Sequence, residues 1–551
     1  MSTKPNEQTR VSACKVSSPR AVLVALTLLA AGMLSACGGG STNSTNPPSN
    51  PGPVSVSISP ATISVDQGDT FQFTASVTGG SNQNVTWSVQ EGAAAGSVSP
   101  AGLYKAPTAA MDVHVVATSV ADPGKSSSAL VTVKAVSVSL PATAGARFGG
   151  QQQFTAVVEG TVVKDVTWTV EEGSAGGTIT DAGVYSAPMS GGPFHVTARS
   201  VADPSQSATV AVVLTDHGFR MLGSLMLQPR YAHTATLLPS GKVLIVGGIP
   251  INVDGSSGSN PVSSAELFDP ATETFSTTGS LTTARAGHTA TLLNNGTVLV
   301  TGGAGTKAEL YDSVSGSFTP TGNMVAARGA HTASLLKDGR VLITGGNQEG
   351  PDAFQIYPVA SAEVYDPTTQ SFTSVGDMPN KAAWHTASVL LDGKVLVAGG
   401  YGSGCPDPQD GAAIFDPANN SFSAGVSLPG GRTQHTATTL DDGRVLITGG
   451  AFNDDCELGS VYDTAIVFDP ATSTYSSEKK MREPRSGHSA TLLLDGKVLV
   501  VGSLAELFDP TTSSFAITGD PNMPLEERRA TRLADGRVLF TGSTALAEIY
   551  E

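Results

Sequence analysis

Cysteine, charge and helical periodicity are all scarce in this chain. Four cysteines occur in 551 residues, too few for a disulfide-built scaffold. Charged residues make up 14% and aromatic residues 6%. No long run places its apolar residues at the helical period, which excludes bundles and coiled coils. The apolar run at 21–34 has 14 residues, too short to span a bilayer. Basic residues are in deficit. The formal charge is −16, and residues 1–36 contribute +3, which leaves −19 on the remainder. Such a surface repels phosphate backbones, so no nucleic-acid partner is expected.

What is present points the other way. Gly (62) and Pro (33) punctuate short segments rich in Val, Thr, Leu and Phe. That pattern predicts an all-β protein, and its length predicts several domains.

Residues 1–20 are polar with a basic excess, the run at 21–34 is apolar, and Leu34-Ser35-Ala36-Cys37 follows. Basic start, short apolar core and small residues before a cysteine resemble the signal peptide and lipobox of bacterial lipoproteins. The resemblance implies cleavage before Cys37 and acylation of that cysteine, a stable membrane anchor. Residue 38 is Gly rather than the Asp that resembles an inner-membrane retention signal. In a Gram-negative host this favours the outer membrane. Residues 37–53, rich in Gly, Ser, Asn and Pro, read as a flexible tether.

The next stretch repeats with a period of 81 residues: Phe73 with Phe154, Trp87 with Trp168, Tyr104 with Tyr185, Pro107 with Pro188. Alternating residues such as Val54, Val56 and Ile58 mark strands with one buried face. Two sandwich domains are expected, at 54–134 and 135–215. Their W…G-x-Y-x-A-P…A-D-P pattern resembles bacterial Ig-like domains. Trp87 and Trp168 are expected in the cores.

From residue 216 a second repeat takes over. An HTATLL-like strand contains His233, His288, His331, His385, His435 or His488, with Arg528 at the seventh place. An aliphatic strand ending in Gly-Gly follows, then an AELFDP-like strand, then an aromatic six residues after its Asp. The first-strand positions are 55, 43, 54, 50, 53 and 40 residues apart. The loop after Gly-Gly has 16, 4, 15, 11, 14 and 1 residues, and subtracting loop from spacing leaves 39 every time. A fixed four-strand frame with one variable loop predicts a seven-bladed β-propeller over 216–551. The last unit lacks its fourth strand. Residues 219–225 match that strand and are expected to complete the blade, closing the ring and removing exposed edges.

The Gly-Gly, aromatic-Asp-Pro and following aromatic resemble kelch repeats, including those of the galactose oxidase central domain. The resemblance implies a module that binds proteins or sugars, because only a minority of such propellers are enzymes. The expected role is therefore a surface scaffold that meets a polysaccharide or protein at one propeller face, with no catalytic residue. The alternatives are a carbohydrate-active enzyme, either a sugar isomerase or a copper oxidase, or a purely structural envelope protein. The copper chemistry needs two His, two Tyr and a Cys–Tyr cross-link, which no motif here gathers.

Residues used once per blade serve the blade. The histidines are expected to cap strand a. The recurring Arg (230, 285, 328, 432, 485) and Glu (266, 309, 363, 506, 548) are expected to form ion pairs. Blades four and five have Ala413 and Ile466 in place of Glu. Singular residues lie in the long loops of blades three to five. These carry Phe354, Tyr357, Tyr401, Phe452 and Tyr462 beside Glu349, Asp352, Asp407, Asp410, Asp454, Asp455, Glu457 and Asp463. Aromatic area with carboxylate acceptors suits a sugar or a basic protein patch. Asp454, Asp455 and Glu457 offer oxygens to Ca²⁺ but lack the EF-hand spacing, so no metal or cofactor is expected, calcium being the one alternative. Cys405 and Cys456, the remaining thiols of an exported chain, are expected to form a disulfide between adjacent loops.

Overall fold

β-branched residues alternating with small polar ones form strands throughout a computed structural model of the chain. It describes residues 52–252, 256–258, 260–348, 357–402, 408–454, 457–523 and 528–551. Cys37, Cys405 and Cys456 lie outside these residues. No helix among them is long and apolar enough to cross a membrane. By contact density the chain divides into two compact units. One comprises residues up to 140 with 156–167 and 198–208; the other comprises 141–155, 168–197 and 209–551.

In the first unit, Thr62–Val65, Ser126–Val133, Met111–Ser119 and Val85–Val89 form a four-stranded sheet in that order. The first pair is parallel. Phe73, Tyr104, Val113, Val115 and Val131 are buried between this sheet and two smaller ones. Trp87 is half-buried at the margin, packed on that core. The Tyr104 hydroxyl donates to Ala95 O, nine residues earlier. In the second unit Tyr185 repeats the bond to Gly176 O, and the half-buried Trp168 lies 6.3 Å from Phe154.

Among the described residues of 219–551 lie six four-stranded antiparallel sheets and a seventh, sheet five in chain order, in which the short strand Lys479–Lys480 is added to the four. Sheet one consists of strands a to d at Thr234–Leu237, Val243–Val246, Ala265–Asp269 and Thr274–Thr277. Sheets two to six repeat it, with strand a beginning at Thr289, Thr332, Thr386, Thr436 and Ser489. In sheet seven the outer strand is Phe219–Met221, antiparallel to Glu548–Tyr550 with Phe219 opposite Tyr550. The N-terminal segment thus supplies the missing strand, as its sequence predicts.

Every strand b is buried along its whole length, as Val243–Val246 illustrates. Strands covered on both faces read as continuous aliphatic runs. Each sheet packs on the next through an apolar cluster. The series runs from sheets one and two (Leu244, Val246, Val298, Val300) round to seven and one (Leu539, Ile549, Val243, Ile245). The recurring aromatics join strands c and d: Phe268 meets Phe275 at 5.0 Å, and each of the next five sheets repeats this pair.

Candidate functional site

The repeated polar residues rivet the sheets together. His288 Nε2 lies 3.0 Å from the hydroxyl of Thr234 in the preceding sheet. His331 meets Thr289, His385 meets Thr332, His435 meets Thr386, and His488 meets Thr436 and Thr448. His233 closes the series on Thr541 of sheet seven. Burial pushes His288, His331, His435 and His488 down to about 3 and His385 to about 4. It holds His233 well below the usual histidine range. All six are therefore neutral at pH 7. The imidazoles also explain Gly-Gly. A Cβ on Gly449, at φ +57°, would lie 2.2 Å from Arg485 O and 2.8 Å from His488 Cε1.

The Arg–Glu pairs form a second repeated module. Arg230–Glu266, Arg285–Glu309, Arg328–Glu363 and Arg485–Glu506 are in contact at 3.1, 2.8, 3.0 and 2.5 Å, all with side chains at most 2% exposed. Each Glu also accepts the backbone N–H three residues before its Arg, at Leu227, Thr282, Val325 and Arg482. In the first three, Arg Nη1 donates to the carbonyl of the first glycine of Gly-Gly. Linker, turn and strand c are thereby locked together. Sheet seven changes the wiring. Arg528 occupies the histidine's place but reaches Glu548 at 3.2 Å, so it takes the arginine's part.

Sheets four and five break the module. In sheet four the three positions are Pro379, Ala382 and Ala413. In sheet five they are Pro429, Arg432 and Ile466. Ile466 sits opposite Ile447 in the register that places Glu363 opposite Ile343. Arg432 is therefore a fully buried guanidinium without its carboxylate. Nη1 donates to Gly449 O at 3.1 Å. Among the described residues Nε and Nη2 have no hydrogen-bond partner, and Glu478 attracts the group without an ion-pair contact. The ring of Tyr462 lies 4.2 Å from its guanidinium carbon, and Phe452 lies 4.4 Å from Tyr462.

The residue before each histidine turns the chain with positive φ. These residues are Ala232, Gly287, Ala330, Trp384, Gln434 and Gly487. They are joined in series by backbone bonds: Gly287 N–H to Ala232 O, Ala330 to Gly287, Trp384 to Ala330, Gln434 to Trp384 and Gly487 to Gln434. Glycine suits this conformation, whereas Ala232, Ala330, Trp384 and Gln434, at φ +51°, +50°, +51° and +54°, carry the strain of a Cβ there, about 1–3 kcal/mol each. Trp384 is the bulkiest of the four. Trp384 is 36% exposed and stands edge-on to Tyr401 at 5.6 Å and 84°. Tyr401 is buried and anchored by reciprocal backbone bonds with Ala383. Gly400 N–H donates to Arg432 O, so the Trp384–Tyr401 pair and the Arg432–Tyr462–Phe452 stack are adjacent on the backbone.

The loop residues singled out from sequence divide accordingly. Tyr401, Phe452 and Tyr462 belong to this sector. Tyr357 lies in the short strand Tyr357–Pro358, paired with Asn347–Gln348, and Gly346 N–H, just before that ribbon, donates to Ala382 O. Asp463 is bound to Lys480 at 3.0 Å, and Asp410 is exposed. Asp454 and Glu457 face each other as backbone partners at the tip of a two-stranded ribbon. Glu349, Asp352, Phe354, Cys405, Asp407, Asp455 and Cys456 lie outside the described residues, so the expected disulfide does too. Among the described residues no group of three His, Cys, Asp or Glu gathers in a metal-binding arrangement. The six imidazoles each meet a threonine through Nε2, and among the described residues their Nδ1 atoms have no hydrogen-bond partner. Sequence reasoning overlooked Trp384 and Gln434. Comparing the residue before each histidine across repeats would have exposed both.

Neither a family model nor a curated protein matches the chain. Among solved structures it is similar to a fungal alcohol oxidase of the AA5 family in complex with copper. The identity is 18%, over 61% of this chain and 76% of that one, with a TM-score of 0.47. It is also similar to YjhT, at 13% identity over 54% of this chain and 99% of that one, with a TM-score of 0.41.

Proposed function

We propose that residues 216–551 are a seven-bladed kelch-type propeller that binds carbohydrate, carried behind two Ig-like repeats on a chain lipid-anchored at Cys37 in the bacterial envelope. The carrying observation is Trp384. A large aromatic stands exposed, in a strained turn, where the corresponding turns of other sheets have Ala, Gly or Gln. Its edge contact with Tyr401 fixes the ring, and a fixed indole face is a stacking platform for a sugar ring. Strain of this kind persists at functional positions. The role proposed is binding rather than catalysis, with no cofactor.

The test is a glycan array with the purified full-length chain, beside Trp384→Gly. Glycine suits the left-handed turn, so the variant should melt no lower than wild type while losing glycan binding. Binding that survives in Trp384→Gly would refute the assignment of the platform. An array with no glycan bound by the wild type would refute the reading itself.

A further inference from the structure

We infer that Arg432 is a carboxylate-recognition site, and that the saccharide bound over sheets four and five carries a carboxylate. This rests on the carbohydrate reading above and names its ligand class.

The argument starts from the arginines that have partners. Each buried arginine in sheets one, two, three, six and seven has a glutamate. Buried cations are kept where they are paired. Arg432 is as buried as any of them, and its glutamate place holds Ile466. The linker N–H that elsewhere helps hold the carboxylate is replaced by Pro429. The internal carboxylate and its second donor are thus both gone, and the guanidinium remains.

Nε is unpartnered in the paired Arg285 and Arg328 as well, so the donor that sets Arg432 apart is Nη2, which elsewhere meets the glutamate; here both Nε and Nη2 are open among the described residues. They lie on one edge of the guanidinium, the edge that pairs side-on with both oxygens of a carboxylate. Nη1 is held by Gly449 O, which fixes the plane. Tyr462 covers one face of the group and is half-buried. Because the guanidinium is fully buried, Tyr462 must move for a carboxylate to reach the fork. The remainder of the chain carries −19, which opposes anions and a polyanion most strongly, so a ligand with a single carboxylate is the one expected. The exposed Trp384 and the Phe452–Tyr462 stack supply apolar surface for its ring.

The full-length chain is titrated with glucuronate, glucose and acetate, following melting temperature and Trp fluorescence. Wild type, Arg432→Gln, Ile466→Glu and Trp384→Gly are compared. Wild type should prefer glucuronate over glucose by about tenfold or more, as expected for a bidentate charged pair. Ile466→Glu places an internal carboxylate at the vacant position. It should stay folded, keep glucose binding and lose the preference for glucuronate. Arg432→Gln should lose the preference too. Trp384→Gly should lose both sugars while keeping the acetate-dependent rise in melting temperature. Equal affinity for both sugars in wild type would overturn the inference. So would a preference that survives in Ile466→Glu, or poly-glutamate bound in place of glucuronate, the mark of an acidic protein partner. If no sugar binds, the carbohydrate reading fails, and acetate alone judges the fork. Stabilisation by acetate that depends on Arg432 upholds it, and its absence overturns it.

Discussion

Mild acid should destabilise the seven-sheet region, and the histidine rivets set the size of the effect. Five of the six are pushed to about 3 or 4 by burial, and the sixth lies well below its usual value. In the unfolded chain each titrates near 6.5. The unfolded state therefore takes up protons that the folded state refuses, and stability falls as pH drops below about 6.5. Each histidine costs about 1.4 kcal/mol per pH unit until its folded pKa is reached. At pH 5.5 six of them cost about 8 kcal/mol. With about 2 cal/mol/K of unfolding entropy per residue over the propeller, the melting temperature should fall by roughly 10 °C. The buried carboxylates Glu266, Glu506, Glu548 and Asp520 are raised by burial. They act the opposite way, because the folded state takes up their protons at a pH above that at which carboxylates titrate in the unfolded chain, and so they offset part of the loss in mild acid. His195, raised by its bond to Glu172, opposes the trend weakly from an exposed site. The assay is calorimetric melting of the full chain between pH 7.5 and 5.0, with proton uptake from buffers of different ionisation enthalpy. His385→Gln should remove about one-sixth of the uptake. A melting temperature that stays flat from pH 7 to 5.5 would refute the neutral-rivet account.

Glu363→Gln leaves Arg328 buried without a counter-charge and should cost about 3–5 kcal/mol in urea titrations. A loss below about 1 kcal/mol would show the module to be dispensable. Gly145→Ala should destabilise the second unit by about 1–3 kcal/mol, because a Cβ there would lie 1.7 Å from Thr518 O. Ser64→Ala, at the corresponding place in the first repeat, should be near neutral; equal effects would deny the close approach. In the same neighbourhood Gly145 N–H donates to Asp520 Oδ2 at 2.6 Å, and Asp520 pairs with Arg482 at 2.9 Å.

Most of the frame was legible because it is periodic. A constant remainder between strands leaves one loop free to vary, and the extra strand at 219–221 is visible as the missing copy of another. The Arg–Glu pairing was legible for the same reason, since partners recur together. What periodicity hid were its local breaks. Arg528 stands at the histidine's place yet does the arginine's work, because geometry and not alignment decides which carboxylate a side chain reaches. The half-burial of Trp87 at the core margin was hidden too, because alternation tells which face is inward and not how deep it lies. Trp384 was hidden because the eye follows the conserved-looking histidine and not the turn before it. Its meaning depends on φ +51°, a quantity that a side-chain pattern does not carry.

Sheets four and five show how a decayed repeat differs from a reassigned one. Removing both charges of a buried pair is often neutral or stabilising, whereas removing one strands the other at a cost of about 3–5 kcal/mol. Sheet four took the first course, with Ala382 and Ala413 facing no charge. Drift alone would lead sheet five to the same end, because losing Arg432 after its glutamate relieves the penalty. The arginine is still there. A Tyr462 ring over it returns about 2 kcal/mol or more in a desolvated setting, and Glu478 attracts it too, so part of the cost is offset inside the chain. A buried cation retained against that cost, beside a tryptophan held in a strained turn, puts two unfavourable choices in one sector. Both become favourable together when an acidic sugar stacks on the indole and places its carboxylate on the free edge of Arg432.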